Sequence, residues 1–296
     1  MRAVVVNSFG GPEAVEVVET EVPEPGARQV RIRVAAAALN PVDAGVRAGV
    51  FGGAGKQIGL GWDVAGTVDA VGVASSWSVG DEVVALDHGM VKPLGTHAEY
   101  VVVDTDAAAK APATVDAVHA ATLPLNALTA VQALDQLELA PGQSLLVTGA
   151  AGAVGGYAVQ LAAHRGISVT GLAREGDEEF VRSLGAVEFV SGAVGAGSVD
   201  AVLDAAVLGE SALGWVRDGG VYVGVIPQTQ PGSVRGVRTG AVEVSADGGR
   251  LAELVRLLDG GVLTTRVAET FALDDAAKAH ARLEGGGIRG RLVLVP

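Results

Sequence analysis

Residues Leu145–Gly156 read LLVTGAAGAVGG, and this stretch decides the fold of the chain. An apolar run typical of a buried strand ends in a glycine-rich turn, and a helix is predicted to begin directly after the turn. Glycines at such a turn let backbone N–H groups approach a diphosphate, and the helix N-terminus presents the positive end of its dipole to that anion. The pattern predicts a dinucleotide-binding βα unit. The alternative is a tight turn in a doubly wound domain that binds no dinucleotide.

Strands and helices alternate in the second part of the chain. Helices are predicted over residues 120–137 and 209–216, and strands over 168–172 and 199–204. Strands separated by helices of about ten residues are typical of a parallel sheet with βαβ connections. The sequence therefore predicts an α/β fold with a Rossmann-type, doubly wound parallel sheet.

The first hundred residues have a different pattern. Short β-branched runs are separated by turn clusters such as FGGP at 9–12 and PEPG at 23–26, without helices between them. Such spacing is typical of a small barrel-like domain. A second, mainly β domain is therefore expected beside the parallel sheet.

The composition excludes several classes of function. Lys and Arg number 21 against 34 Asp and Glu, and the formal charge of −13 disfavours binding to nucleic acid or to an anionic membrane. There is no cysteine, so disulfides, thiolate metal sites and a cysteine nucleophile are excluded. The N-terminal apolar run, Ala3–Val6, is too short for a signal peptide, and a cytoplasmic location is expected.

The end of the second strand of the predicted parallel sheet indicates which nucleotide is bound. An acidic residue about 20 positions after the glycine motif would accept the ribose hydroxyls of NADH. Ala173 and Arg174 stand there instead. A guanidinium can bind a 2′-phosphate through two hydrogen bonds, so NADPH is favoured over NADH. Glu175 and Asp177 weaken the positive field, and a solvated loop arginine is the alternative.

Short motifs that follow one another along nearly the whole chain carry a family resemblance. They are AALNPVD (37–43), GWDVAGTV (61–68), VGDEV (79–83), GTHAEY (95–100), LP (123–124) with TA (129–130), AVQLA (158–162), LGA (184–186) and RGRLVL (289–294). With the glycine motif, they resemble the quinone oxidoreductase branch of the medium-chain dehydrogenase/reductase superfamily. The resemblance implies a GroES-like catalytic domain in two pieces, 1–118 and 269–296, and a Rossmann dinucleotide-binding domain at 119–268. It also implies a homodimer.

The resemblance also predicts whether the chain can bind zinc. In zinc-dependent relatives a cysteine ligand stands at the position of Asn40, and Gly-His-Glu stands where this chain has Gly61-Trp62-Asp63. The cysteine-rich lobe that holds structural zinc in those relatives is missing. Because these positions offer neither a thiolate nor a histidine, neither zinc site is expected to form.

A zinc-free site changes the expected reaction. Alcohol oxidation needs a group that stabilises an alkoxide, normally the metal, whereas a quinone or an alkene conjugated to a carbonyl is already electron-poor. The expected activity is NADPH-dependent reduction of a quinone or an α,β-unsaturated carbonyl compound. Two alternatives stay open: an enoyl reductase acting on a natural-product or acyl-thioester intermediate, and a nucleotide-binding member of the fold without turnover.

Asn40 is the predicted catalytic residue. The resemblance places it beside the nicotinamide and the substrate, where its amide can donate a hydrogen bond to a developing oxyanion; its alternative role is to stabilise the turn before Pro41. Phe51, Trp62 and His88 are the predicted substrate-pocket residues. Many relatives have a tyrosine at the position of Phe51, so the proton is expected to come from water.

The predicted cofactor-binding residues come from the glycine motif, the ends of neighbouring strands, one helix and the C-terminal tail. Strand ends are included because dinucleotides bind at the carboxyl edge of an open parallel sheet. The predicted set is Asn40, Thr129, Ala150, Gly152, Ala153, Val154, Gly155, Ala173, Arg174, Asp204, Ala205, Ala206, Val225, Ile226, Arg289 and Arg291.

Overall fold

The computed structural model describes the whole chain, residues 1–296, as two units. The first, called here the β-rich unit, comprises Met1–Leu125, Ser245–Gly260 and Thr265–Pro296. The second, called the parallel-sheet unit, comprises Asn126–Val244 and Gly261–Thr264. The parallel-sheet unit contains one six-stranded sheet, and the β-rich unit contains a seven-stranded sheet and a smaller three-stranded one.

Sixteen strands and eight α-helices make up these units. The strands are β1 (Arg2–Val6), β2 (Glu16–Glu19), β3 (Gln29–Leu39), β4 (Ile58–Gly59), β5 (Asp63–Val71), β6 (Glu82–Leu86), β7 (Tyr100–Asp104), β8 (Ala108–Lys110), β9 (Ser144–Thr148), β10 (Ser168–Leu172), β11 (Glu188–Val190), β12 (Val199–Asp204), β13 (Val216–Gly224), β14 (Arg238–Ala241), β15 (Val267–Ala272) and β16 (Arg291–Val295). The helices are α1 (Pro41–Arg47), α2 (Ala117–Ala120), α3 (Pro124–Leu137), α4 (Ala153–His164), α5 (Glu178–Ser183), α6 (Glu210–Leu213), α7 (Gly248–Asp259) and α8 (Ala276–Glu284). None of these helices combines the length and the apolar character needed to cross a membrane.

The main sheet of the β-rich unit joins two distant parts of the sequence. Its strand order is β15-β16-β3-β5-β6-β8, and β7 also pairs with β3. β16 runs antiparallel to β3, with Leu292 opposite Leu39. The same register brings Arg291, at the start of β16, beside Asn40, directly after the end of β3. The C-terminal strand thereby completes the sheet that the N-terminal part begins.

Alternation of apolar and polar residues explains how β3 packs. Val30, Ile32 and Val34 are buried, whereas the intervening Arg31 and Arg33 are only partly covered or exposed. A period of two puts successive side chains on opposite faces of a strand. The buried face of β3 joins valines of β5, β6 and β7 in an aliphatic core.

The sheet of the parallel-sheet unit has the strand order β11-β10-β9-β12-β13-β14, and all neighbouring strands are parallel. The chain starts in the middle at β9, runs outward to one side and then returns to the other. A ligand crevice is expected at the carboxyl ends of the strands where this reversal occurs, beside β9. Leu145, Leu146 and Val147 of β9 are fully buried, as in a sheet covered on both faces. The predicted α/β fold class, with a parallel Rossmann-type sheet and a mainly β second part, is confirmed.

The two units differ in their bounds from the predicted division after residues 118 and 268. The main difference is α7, which belongs to the β-rich unit, where it packs against β8. Its last residue, Asp259, accepts hydrogen bonds from the backbone N–H groups of Ala113 and Thr114, both at 3.0 Å. The residues of an amphipathic helix do not indicate which strand it packs against. The sequence alone could therefore not place α7 in that unit.

Candidate active site

The glycine-rich turn between β9 and α4 is shaped by the backbone alone. Gly149 has a φ of +59°, a left-handed conformation that favours glycine. A Cβ at Gly155 would overlap the carbonyl oxygen of Gly149, so the first turn of α4 packs directly on the end of β9. Gly152, the N-cap residue of α4, makes no side-chain cap hydrogen bond. Because no side chain caps the helix, N–H groups of its first turn can bind an anion such as a diphosphate.

Asp204, at the end of β12, is fully buried and its carboxylate is used by the protein itself. Oδ1 accepts a hydrogen bond from Thr148 Oγ1 at 2.6 Å, and Oδ2 accepts from the Tyr222 hydroxyl at 2.7 Å and the Gly209 N–H at 2.8 Å. Burial, with the carboxylate nearby, raises the pKa of Tyr222 and keeps the phenol protonated. Thr148 Oγ1 also accepts the Ala206 N–H at 2.9 Å. These hydrogen bonds connect the carboxyl ends of β9, β12 and β13 beside the glycine turn.

The end of β10 presents the residue predicted to contact a 2′-phosphate. Arg174 is exposed, and Ala173 before it is half-buried, with its N–H donating to the Val190 carbonyl at 3.2 Å. Of the two acidic residues that follow, Glu175 is exposed. Asp177 is buried at the N-cap of α5, where a helix dipole favours negative charge.

Asn40 is the centre of a buried polar cluster in the β-rich unit, where β3 leads into α1. Its Nδ2 donates to Oδ2 of Asp63 at 2.6 Å, and its Oδ1 accepts from a guanidinium nitrogen of Arg291 at 3.2 Å. These two partners come from the start of β5 and the start of β16. Three segments that are distant in the sequence therefore meet at one side-chain amide.

Asp63 is a residue of this cluster that the sequence did not single out. It is fully buried, and its Oδ1 accepts the backbone N–H of Leu125 at 2.6 Å. Burial raises the pKa of Asp63 to about 7, against the lowering effect of the hydrogen bonds from Leu125 and Asn40. Its place in the motif GWDVAGTV (61–68), directly beside a predicted pocket residue, was the signal that could have identified it.

Asp43, in the first turn of α1, fixes the backbone around Asn40. Its Oδ2 accepts the Asn40 N–H at 2.8 Å, and its Oδ1 accepts the Gly61 N–H at 2.9 Å. Pro41 occupies the first position of the helix, where its fixed φ is favourable. One buried carboxylate thus ties the start of α1 to the segment that leads into β5.

The three predicted pocket residues have different surroundings. Trp62 is buried, and the Lys92 ammonium lies 5.7 Å from the centroid of its ring. Phe51 is half-buried against an aliphatic core that includes Ile58. His88 is exposed. The described contacts do not bring these three side chains together, and their role as a pocket stays a prediction.

The other predicted cofactor residues lie mostly along the carboxyl edge of the parallel sheet. Residues 204–206 and 225–226 directly complete or follow β12 and β13, the strands on one side of β9. Thr129 is buried within α3, and Arg289 is exposed before β16. Ala150 is buried, Ala153, Val154, Ala205 and Val225 are half-buried, and Ala206 and Ile226 are exposed. Their contacts with a cofactor stay a prediction.

Two family models match separate parts of the chain. One, described as an alcohol dehydrogenase GroES-like domain, matches residues 26–113, which lie in the β-rich unit. The other, described as a zinc-binding dehydrogenase, matches residues 176–294.

Similar proteins extend over the whole chain. A chloroplastic NADPH-dependent alkenal/one oxidoreductase of Arabidopsis thaliana is 34% identical, over 100% of this chain and 80% of its own length. A quinone oxidoreductase of Pseudomonas aeruginosa is 30% identical over 98% of each chain. The solved structure of the quinone oxidoreductase from Coxiella burnetii has a TM-score of 0.88 at 28% identity, over 100% of this chain and 99% of that one. As its motifs predicted, the chain belongs to the medium-chain dehydrogenase/reductase superfamily, in its quinone oxidoreductase-like branch.

Proposed function

We propose that this protein transfers a hydride from NADPH to a quinone or an α,β-unsaturated carbonyl compound, and that it does so without zinc. The observation that carries the proposal is the buried Asn40 amide, held between the Asp63 carboxylate and the Arg291 guanidinium. In zinc-dependent relatives a cysteine ligand stands at the position of this asparagine. The names of the similar proteins, alkenal/one oxidoreductase and quinone oxidoreductase, support the substrate class.

The parallel-sheet unit fits a dinucleotide. At Gly155 a Cβ would overlap the carbonyl oxygen of Gly149, and the uncapped first turn of α4 has backbone N–H groups available for a diphosphate. Arg174 is exposed at the end of β10, where its charge suits a 2′-phosphate better than an acidic residue would. Bound NADPH would supply the hydride, and these residues favour NADPH over NADH.

The side chains around Asn40 do not suit a zinc ion. The chain has no cysteine, and no group of three or more His, Asp or Glu side chains is placed to hold a metal. The Arg291 guanidinium, 3.2 Å from Asn40 Oδ1, would repel a divalent cation at this position. For these reasons we propose that this chain does not bind the zinc that the description of one family model names.

Without a metal to activate the substrate, this set of side chains favours a hydride acceptor that is already electron-poor. Hydride addition to an enone or a quinone leaves negative charge on a carbonyl oxygen, which a hydrogen-bond donor must stabilise. We assign this role to Asn40, the catalytic residue, and we assign the apolar walls of the substrate pocket to Trp62 and Phe51 with His88 nearer the solvent. The proton that completes the reduction comes from water.

The test is to follow the loss of NADPH absorbance with a benzoquinone, a short-chain enone and an enoyl thioester as separate substrates. We expect turnover with the quinone or the enone, with NADPH preferred to NADH. Zinc content measured on the same sample should be far below one ion per chain, and a chelator should leave the rate unchanged. Stoichiometric zinc that is needed for activity would contradict the zinc-free reaction.

The rival functions give different results in this assay. Turnover with the enoyl thioester alone would identify an enoyl reductase. Tight NADPH binding without turnover on any acceptor would identify a nucleotide-binding protein that lacks catalysis. No affinity for NADPH would remove the basis of the proposal.

We further propose that the protein acts in the cytoplasm as a homodimer. β14 is an edge strand of the parallel sheet, so its outer side can pair with a strand of a second copy. Val234, shortly before this strand, is an exposed apolar residue. Sedimentation velocity should give the mass of two chains, and a monomer at all concentrations would contradict the dimer.

A further inference from the structure

We propose that Asp63 is a positioning residue that acts together with Arg291. The two side chains hold the Asn40 amide in a single orientation, with its nitrogen toward Asp63 and its oxygen toward Arg291. This inference rests on the proposed function, because the role of Asn40 in hydride transfer is part of that proposal.

The hydrogen bonds of Asp63 favour its carboxylate form. Both of its oxygens face N–H donors, Asn40 Nδ2 at 2.6 Å and the Leu125 backbone at 2.6 Å. A backbone N–H and an amide NH2 can only donate, so an acid proton on Asp63 would have to point away from both of these partners. The geometry therefore favours the ionised form.

The partners also fix which way the amide points. In the opposite orientation the Asn40 oxygen would face the Asp63 carboxylate, and its NH2 group would face the Arg291 guanidinium. Two acceptors would then oppose each other, and so would two donors. A guanidinium has no acceptor and a carboxylate no donor, so neither partner can adapt. The asparagine bridges a buried negative charge and a positive charge.

The fold keeps both partners in place. Asp63 is the first residue of β5, and β5 pairs with β3, which ends next to Asn40. Arg291 is the first residue of β16, which pairs with β3 on its other side. The amide therefore lies at the end of a central strand with one charged neighbour from each flanking strand.

The arrangement responds to pH near neutrality. Burial raises the pKa of Asp63 to about 7, with Asp43 on α1 raising it further and Arg291 on β16 lowering it. Above this pH the carboxylate holds the amide. Below it the protonated oxygen becomes a donor, which favours the opposite amide orientation and turns the Asn40 oxygen away from Arg291.

Asp63→Asn is the test variant, with Asp69→Asn as its matched control. Asp69 lies on the same strand, but its carboxylate pairs with Arg31 at 2.9 Å. In the wild-type enzyme and in D69N, kcat/KM should fall as pH drops through about 7. In D63N this pH limb should disappear, with a rate at high pH lower by on the order of 10- to 100-fold.

A double-mutant cycle separates positioning from a structural role. If Asp63 acts through the Asn40 amide, D63N should cost little further rate in an Asn40→Ala background. An equal loss of rate in both backgrounds, or a pH limb that persists in D63N, would overturn the proposal.

A spectroscopic measurement tests Asp63 independently of turnover. The side-chain NH2 signal of Asn40, assigned by its loss in Asn40→Ala, should shift in NMR spectra with a midpoint near pH 7. The shift should be absent in D63N and retained in D69N. A shift without any reductase activity would support the positioning role and contradict the proposed function, whereas activity without the shift would contradict only the positioning role.

Discussion

The two units present different kinds of candidate functional residues. In the parallel-sheet unit, the glycine-rich turn consists of consecutive backbone groups between β9 and α4. In the β-rich unit, the cluster around Asn40 consists of side chains, and its partners Asp63 and Arg291 are 23 and 251 residues away in sequence. A turn of adjacent residues depends on local conformation, whereas the cluster depends on strand register. The two parts should therefore respond differently to mutation and to pH.

The largest expected effect is at the backbone turn. Gly155→Ala would place a methyl group on the carbonyl oxygen of Gly149 and force α4 away from β9. We expect NADPH affinity to fall by on the order of 100-fold or more, with a loss of stability of about 1–3 kcal/mol from overpacking. Isothermal titration with NADPH and thermal melts measure the two effects.

The neighbouring glycine is the matched control for this prediction. A Cβ at Gly156 would lie 3.4 Å from Leu184 Cδ1, an ordinary contact. Gly156→Ala should therefore keep NADPH affinity and raise stability by up to about 1 kcal/mol, because alanine is the better helix former. Equal losses of NADPH affinity in both variants would show that Gly155 does not pack closely against the Gly149 carbonyl oxygen.

The next largest effect is expected at the side-chain cluster. Asn40→Ala removes the amide that we assign to the developing oxyanion, and kcat/KM should fall by on the order of 100-fold. Asn7→Ala, which removes an exposed asparagine bonded to Glu16 at 3.1 Å, should leave the rate unchanged. An unchanged rate in Asn40→Ala would show that Asn40 only stabilises the turn before Pro41.

A smaller effect should appear in cofactor preference. Arg174→Ala should weaken NADPH binding by roughly 10- to 100-fold and leave NADH binding nearly unchanged, since only NADPH carries the 2′-phosphate. Arg182→Ala removes an arginine paired with Glu178 at 2.8 Å and should change neither affinity. Equal weakening of both nucleotides would contradict a 2′-phosphate contact at Arg174.

The smallest effect concerns a buried histidine on α8, His280. His280 Nδ1 accepts a hydrogen bond from Arg47 at 3.3 Å, and burial lowers the pKa of His280 to about 3. Between pH 6.5 and that value the unfolded chain binds a proton that the folded one does not, so stability falls as pH decreases. From pH 6.5 to about 5 this single residue should cost roughly 1.5 kcal/mol.

Denaturant melts at several pH values check this prediction. In His280→Gln, which can still accept from Arg47 but cannot gain a proton, the loss of stability below pH 6.5 should be smaller than in the wild type. His164→Gln, at an exposed histidine, is the control and should keep the wild-type pH dependence. Identical pH dependence in all three proteins would show that His280 does not stay neutral in the fold.

Strands with a strong apolar pattern could be placed from the sequence, but boundaries set by packing could not. The predicted strands at 168–172 and 199–204 coincide with β10 and β12. The helix predicted over 120–137 is interrupted, because Pro124 begins a new helix after α2 has ended at Ala120. The helix predicted over 209–216 shortens to α6, since Val216 already pairs with β12 as the start of β13.

The sequence by itself determined the family, the parallel sheet and the glycine turn, because each of these depends on residues that are adjacent or on motifs in a fixed order. It also singled out Asn40 and Arg291, but as two separate residues. Only the tertiary structure decided that Arg291 faces the oxygen of that asparagine, that Asp63 faces its nitrogen, and that burial brings the pKa of Asp63 to about 7. Desolvation and strand register are properties of the folded chain, and no local pattern of residues contains them.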